Sequence, residues 1–202
     1  MKKIMIVFAT MILATESVWC GDETSTKGSL LWSMAFGAGS GGVAGYTQNQ
    51  GLNESASYAF DLQFGYAMND FMYLCLDLAA VPQVDFAWPG STIDYVNYSA
   101  GITFFPVSRF YLRLGPSMGF LEGAEEFGLQ EHELGLGFMA GAGVELKMLK
   151  LSDKGTVSFI AGAQYFYHNH RGFYTQSNLI TAGAMLSLDL GKLLEKLKKK
   201  EN

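Results

Sequence analysis

Residues 57–68, Ser-Tyr-Ala-Phe-Asp-Leu-Gln-Phe-Gly-Tyr-Ala-Met, alternate between large apolar side chains and small or polar ones. A period of two is typical of a β-strand whose two faces meet different surroundings. The same alternation recurs along the chain and predicts strands at 28–38, 56–68, 71–80, 93–105, 109–120, 134–148, 156–167 and 178–190. Each is long enough to cross a bilayer at a tilt, which takes about 9–11 residues.

The predicted connections alternate between short and long. The short ones are Asn69-Asp70, 106–108 and 149–155, and the long ones are 39–55, 81–92, 121–133 and 168–177. This alternation places tight turns at one end of the sheet and extended loops at the other. Because the number of strands is even, both termini lie at the end with the turns, as in outer-membrane barrels.

The two faces of the predicted strands differ in size and charge. The face of large residues carries neither a charged residue nor a glycine in any of the eight strands. The opposite face is rich in Gly, Ser, Ala and Thr, and its charged residues are Asp61, Asp77, Arg113, Glu145, Lys147 and Asp189. An eight-stranded barrel has an interior only just wide enough to be filled by side chains, so the small face must lie inside. An uncharged exterior suits lipid and not water, so the predicted fold is all-β, an eight-stranded antiparallel up-and-down transmembrane β-barrel.

The overall composition agrees with a chain made of strands and narrows the classes of partner. The 202 residues include 24 Gly, 15 Phe and 10 Tyr but only 4 Pro, and 16% are charged. Glycine and aromatic residues at this level suit tightly packed strands. The net charge of −5 argues against nucleic acid as a partner, since that function needs a basic surface.

The two ends of the chain differ in character from the rest. Lys2 and Lys3 precede an apolar stretch, and small residues follow, which predicts a signal peptide at 1–20 and export of the chain. A lipid anchor on Cys20 is an alternative that the preceding Trp19 disfavours. Residues 28–190 form the predicted barrel. The basic segment 191–202 is a periplasmic tail that either lies on anionic lipid or is simply solvated.

With the strands so placed, residues 28–190 resemble the small eight-stranded outer-membrane β-barrel proteins of the OmpA/OmpX class. In the last strand, Thr181, Gly183, Leu186 and Leu188 resemble the C-terminal signal that the barrel-assembly machinery reads, although Leu186 stands where an aromatic residue is usual. The resemblance implies insertion into the outer membrane of a Gram-negative envelope. Its implied partners are the outer-membrane lipids and the barrel-assembly machinery.

Four charged residues on the small face predict a lumenal polar network. Asp61 and Asp77 lie at similar depth on either side of the Asn69-Asp70 turn, so their carboxylates are expected to be near neighbours. Arg113 and Glu145 lie at similar depth around the third long loop and are expected to pair. The network is interpreted as a plug of the narrow lumen, with a path for protons or ions as the alternative.

Candidate chemistry outside this network is sparse. His168 and His170 fall in the last long loop and His132 in the third, where exposed, solvated side chains are favoured over a metal site. Ser177 follows the histidine pair, but no established catalytic motif accompanies it. No catalytic residue, metal or cofactor is predicted. The expected function is structural or a surface interaction through an unidentified extracellular ligand of the loops; the alternatives are an outer-membrane lipid-modifying enzyme and a small pore.

Overall fold

The structure, a computed structural model, describes residues 27–44, 55–85, 92–107, 109–122, 134–152 and 155–191. Its strands are β1 (Ser29–Ala44), β2 (Ser55–Asn69), β3 (Met72–Asp85), β4 (Thr92–Val107), β5 (Phe110–Glu122), β6 (Gly135–Ser152), β7 (Gly155–Asn169) and β8 (Tyr174–Asp189). Each strand pairs antiparallel with the next, and β8 pairs with β1, so the sheet closes into a barrel. None of the helical segments in these ranges is long and apolar enough to cross a membrane.

The strands predicted from alternation are confirmed, with differences at the loop end. β1 continues to Ala44 and β3 to Asp85, well past the predicted ends. The predicted long loop at 168–177 is wrong, because β7 and β8 run on and only residues 170–173 connect them. The turn is closed by His170 N, which donates to Phe173 O at 2.9 Å, and Gly172 provides a φ of 96°. Both faces of the sheet are polar here, so hydrophobic alternation does not reveal these strand ends.

The outer surface of the barrel is apolar. Large side chains exposed on it occur on every strand and include Trp32, Phe36, Phe64, Leu76, Ile102, Leu114, Leu136, Phe159 and Ile180. Toward the loop end, this apolar surface reaches charged side chains at Asp94 and Glu122, which lie opposite each other on β4 and β5. An apolar band that ends in charged residues at its rim has the layout of a surface embedded in lipid.

Aromatic side chains gather near the edges of this apolar band. At the loop end, Phe138 stacks on Tyr167, and Tyr167 lies against Tyr174 with ring centroids 5.7 Å apart. At the turn end, Phe71 and Phe104 are exposed. Aromatic girdles of this kind suit the two interfaces between lipid and water.

A bulge in β6 preserves the apolar exterior beyond the end of its neighbour. β5 begins opposite Val144, whereas β6 continues to Ser152 in a hairpin with β7. The register shifts between Lys147 and Leu149, after which Leu149 and Leu151 are exposed. The shift changes which residues face outward, so that leucine and not lysine continues the outer surface at the turn end.

The β1–β8 pairing, here called the seam, depends on a glycine. Gly183 lies opposite Ala35, and a Cβ on Gly183 would fall 1.9 Å from Met34 O. No side chain fits at that distance unless the two backbones separate. The seam therefore requires glycine at position 183, and closure of the sheet requires the seam.

Replacing Gly183 with valine is expected to prevent most chains from closing, because the added side chain would collide with the β1 backbone. The measurement is gel migration of unheated samples, in which a folded barrel runs faster than the unfolded chain. The control is Ala184→Val, since Ala184 is exposed on the outer face. Equal amounts of the fast-running form in both variants would contradict the requirement for glycine.

Candidate functional site

The lumen of the barrel is filled with side chains in layers. The turn-end cluster is apolar and comprises Leu31, Ala35, Ala67, Tyr73, Cys75, Phe105, Tyr111, Ile160 and Met185. The loop-end cluster is also apolar and comprises Val43, Ala59, Ala79, Val81, Val84, Ile93, Tyr95, Leu121, Met139, Phe166, Phe173 and Leu179. Polar residues lie between and above these clusters. The polar residues between the two clusters, here called the polar layer, are thus separated from both mouths of the barrel by packed apolar side chains.

Arg113 is the centre of the polar layer. Its Nη1 lies 3.0 Å from Asp77 Oδ1 and 3.7 Å from Asp61 Oδ2. Its Nη2 donates to Gln63 Oε1 at 2.9 Å, and its Nε donates to Thr103 Oγ1 at 3.2 Å. These contacts link β5 to its neighbour β4 and, through the lumen, to β2 and β3. The guanidinium fork suits this role, because it donates in several fixed directions at once.

Further hydrogen bonds extend the contacts of Arg113 around the barrel wall. Ser99 donates to Asp77 Oδ2 at 3.0 Å, and Ser33 donates to Gln63 Oε1 at 3.2 Å. Gln164 Nε2 on β7 donates to Asp61 Oδ2 from the far side of the lumen. All of these side chains are buried. We call the set the Arg113 network; its members are Arg113, Asp61, Asp77, Gln63, Thr103, Ser99, Ser33 and Gln164.

The structure brings together three of the four lumenal residues singled out from the sequence. Asp61 lies opposite Ala79 and Asp77 opposite Gln63, so the two carboxylates are diagonal neighbours that both approach Arg113. Glu145 is not at the depth of Arg113. The strand register places Arg113 opposite Gly141, four residues before Glu145 on β6.

Glu145 instead belongs to the turn end of the lumen. Its backbone N donates to Arg109 O, and its Oε1 accepts a hydrogen bond from Ser158 at 2.8 Å. The expected pair with Arg113 failed because the register of β5 against β6 depends on where the connection between them begins and ends. Hydrophobic alternation fixes which face a residue occupies but not its depth.

The residues that resemble an assembly signal occupy both faces of β8. Thr181 is buried in the lumen, and Gly183 lies against β1 in the seam. Leu186 lies opposite Trp32 and Leu188 opposite Leu30, both on the outward face near the turn end. Recognition of these four residues by the barrel-assembly machinery stays a prediction.

The histidines near the β7–β8 turn are buried, contrary to the expected exposed loop. His168 Nε2 lies 2.9 Å from Ser117 Oγ, and His170 Nε2 lies 3.0 Å from Thr175 Oγ1. The His170 ring stacks on Phe173 with centroids 4.5 Å apart. Gly119 leaves the space for His168, since a Cβ there would fall 2.4 Å from its ring. Glycines on lumenal positions opposite these histidines are the sequence signal that was missed.

The contact between His168 and Ser117 has the composition of a base and a nucleophile, but its location does not suit hydrolysis of lipid. Both side chains face the lumen and are buried, with 1% and 5% of their surface exposed. A lipid substrate would approach from the outer face. Within the residues that the structure describes, no three His, Cys, Asp or Glu side chains are placed to hold a metal ion. His132 and Cys20 lie outside the described residues.

No protein-family model and no curated protein matches the chain. Among solved structures, the attachment invasion locus protein Ail of Yersinia pestis matches at 18% identity and a TM-score of 0.47, over 79% of this chain and 99% of that one. Neisserial surface protein A matches at 16% identity and a TM-score of 0.45, over 81% of this chain and 98% of that one. The outer membrane protein OprG from Pseudomonas aeruginosa matches at 12% identity and a TM-score of 0.47, over 80% of this chain and 96% of that one. Similarity this low leaves the assignment to the geometry of the barrel itself.

The geometry of the barrel distinguishes a membrane-spanning protein from a water-soluble one. A closed antiparallel barrel leaves no unpaired strand edge. Among the described residues, its exterior is an uncharged apolar band, and its interior is filled by two apolar clusters with a buried polar layer between them. Hydrocarbon tolerates this arrangement and water does not. The chain is an eight-stranded transmembrane barrel of the outer-membrane type.

Replacing Arg113 with methionine is expected to lower the free energy of unfolding by roughly 3–5 kcal/mol, because it leaves the buried carboxylate of Asp77 without its cation. The measurement is denaturant unfolding in lipid vesicles, followed by tryptophan fluorescence. Arg171→Met is the matched control, since Arg171 is exposed at the β7–β8 turn and should leave the stability close to that of wild type. Equal stability of the two variants would show that Arg113 does not hold the lumen together.

Proposed function

We propose that this protein is a structural or surface-interaction protein of the outer membrane, with a barrel that serves as an anchor and a lumen that is closed. The observation that carries the proposal is the distribution of polarity in the described residues: large apolar side chains are exposed on every strand, whereas the charged side chains Asp61, Asp77, Arg113 and Glu145 are buried in a packed lumen. Its direct partners are then the outer-membrane lipids. An extracellular ligand would be bound by the connections at the loop end, at 45–54, 86–91 and 123–134.

The route to the membrane is part of the same proposal. Residues 1–20, which lie outside the described residues, act as a signal peptide in a Gram-negative envelope. The barrel-assembly machinery then recognises Thr181, Gly183, Leu186 and Leu188 on β8. On this proposal the protein is one of the small barrels of the OmpA/OmpX class. The basic tail at 191–202, of which only residue 191 is described, remains in the periplasm.

The layers of side chains support a closed lumen. The Arg113 network lies between the turn-end cluster and the loop-end cluster, and Met139 and Phe166 are fully buried within the latter. Water would have to displace both apolar clusters to connect the two mouths of the barrel. The packing therefore favours an anchor over a pore.

An arginine on the outer face tests the contact with lipid. Leu114→Arg is expected to cost about 2–4 kcal/mol of folding free energy, because Leu114 lies near the middle of β5 and is 64% exposed. Leu149→Arg is the control, with an expected cost of about 0–1 kcal/mol, because Leu149 lies beyond the first residue of β5 at the turn end. Both are measured by denaturant unfolding in vesicles. Equal costs at the two positions would contradict the membrane-spanning assignment.

The closed lumen is tested by recording current across a planar bilayer. The refolded protein is expected to show no steady conductance, because packed side chains fill the lumen. A large porin, recorded in the same chamber, controls for insertion and sensitivity, and gel migration of the recovered sample controls for folding. A steady conductance that scales with the number of folded molecules would replace the anchor with a pore.

A further inference from the structure

The Arg113 network has an unbalanced formal charge. Arg113 contributes one positive charge, whereas Asp61 and Asp77 contribute two negative charges if both are ionised. Each of the three side chains is at most 4% exposed. An uncompensated negative charge in so dry an interior is strongly unfavourable, because the protein does not replace the lost hydration. Some further positive charge or a proton must balance the set.

Two buried oxygen atoms that receive no hydrogen bond within the described part of the chain show where the compensating positive charge or proton is missing. Among the described residues, no hydrogen-bond donor reaches Asp61 Oδ1 or Gln164 Oε1. These atoms belong to the two groups that are already joined by the bond from Gln164 Nε2 to Asp61 Oδ2. Each group therefore uses one of its two polar atoms in that bond, and the second atom of each is an acceptor without a donor.

We propose that Asp61 carries a proton in the folded barrel and donates it from Oδ1 to Gln164 Oε1. The carboxylic acid and the carboxamide then form a cyclic pair joined by two hydrogen bonds. One proton satisfies both orphan oxygens and brings the formal charge of the Arg113 network to zero. The site is a proton-binding site that links β2 to β7 across the lumen.

The contacts of the two aspartates decide which of them holds the proton. Asp77 accepts from Arg113 at 3.0 Å and from Ser99 at 3.0 Å, so both of its oxygens are engaged as acceptors. Asp61 lies farther from Arg113, at 3.7 Å, and one of its oxygens has no donor. The ionised partner of Arg113 is therefore Asp77.

A proton fits the site better than a metal cation does. Alkali and alkaline-earth cations take several oxygen ligands, six or more for calcium. The site offers two unused oxygens, since Gln63 Oε1 already accepts from Arg113 and Ser33. Asp61 and Gln164 are also packed closely, with 3% and 6% of their surface exposed.

The other ionisable groups of the lumen do not offer a second cation to Asp61. On β1 the neighbouring lumenal residues are Ser33 and Ala35. The other ionisable residues on lumenal positions are Tyr73, Cys75 and Asp77 on β3, Tyr95 on β4, Tyr111 and Arg113 on β5, Glu145, Lys147 and Lys150 on β6, His168 on β7 and Asp189 on β8. Of these, Arg113 and Asp77 form the ion pair nearest to Asp61. The two lysines pair in register with Ser158 and Thr156 at the turn end of β7, at least six residues from Gln164. His168 is hydrogen-bonded to Ser117 in the layer above.

The first test compares Asp61→Asn with Asp77→Asn. An asparagine at position 61 reproduces the protonated acid in shape and hydrogen bonding, so the folding equilibrium constant should change by less than about threefold. An asparagine at position 77 removes the counterion of Arg113, so the constant should fall by a factor on the order of several hundred to several thousand. Equal losses in the two variants, or a larger loss for Asp61→Asn, would overturn the proposal.

The second test is infrared spectroscopy of the folded barrel in lipid, and it does not depend on the folding of Asp77→Asn. Wild type should show the carbonyl stretching band of a protonated carboxylic acid, and Asp61→Asn should lack it. Wild type without that band would mean that Asp61 is ionised and bridged by water or a cation. Replacing sodium and potassium with choline should leave stability unchanged; a loss of stability would identify a bound metal ion and overturn the proposal.

Discussion

Hydrocarbon offers the peptide backbone no hydrogen-bond partner, and the whole structure depends on that constraint. Every strand in lipid must be paired on both sides, so the sheet has to close, and closure is completed where β8 meets β1. With eight strands, the closed sheet leaves a narrow interior. The narrow interior in turn explains why the small face of each strand points inward and why glycine is required where backbones approach most closely, as at Gly183.

The Arg113 network distinguishes one strand register from another, which the apolar exterior does not. A slip of two residues between neighbouring strands would keep every apolar side chain outside, so lipid would not oppose it. Between β3 and β4, or between β4 and β5, the same slip would move Arg113 away from Asp77 and break the buried ion pair. Because both groups lose their hydration, a buried ion pair contributes little net stability. Breaking the pair, as a wrong register would, is strongly unfavourable. We interpret the network as the feature that selects one register for this barrel.

The sequence predicts the fold well because lipid enforces strict alternation on each strand. It predicts the site less completely. That Asp61, Asp77 and Arg113 face the lumen follows from alternation, but the bond between Gln164 and Asp61 joins residues 103 positions apart. Which strands meet across a lumen depends on strand tilt and stagger, and neither leaves a local trace in the sequence. The same reasoning explains the misplaced Glu145. The burial of His168 was missed because the last residues of β7 and the first residues of β8 carry mainly polar side chains on both faces, so alternation gives no signal there.

A lumen closed at both ends restricts where function can be located. The apolar exterior faces lipid and packed side chains fill the interior, so the proposed surface interaction would have to use the loop end. There the β7–β8 hairpin is held tightly, since His168, His170 and Phe173 pack into the mouth of the barrel. The other three connections at that end are longer in sequence and leave from strands already fixed by the sheet. The barrel therefore provides a rigid base, and the chemistry of any surface interaction must come from the residues of those connections.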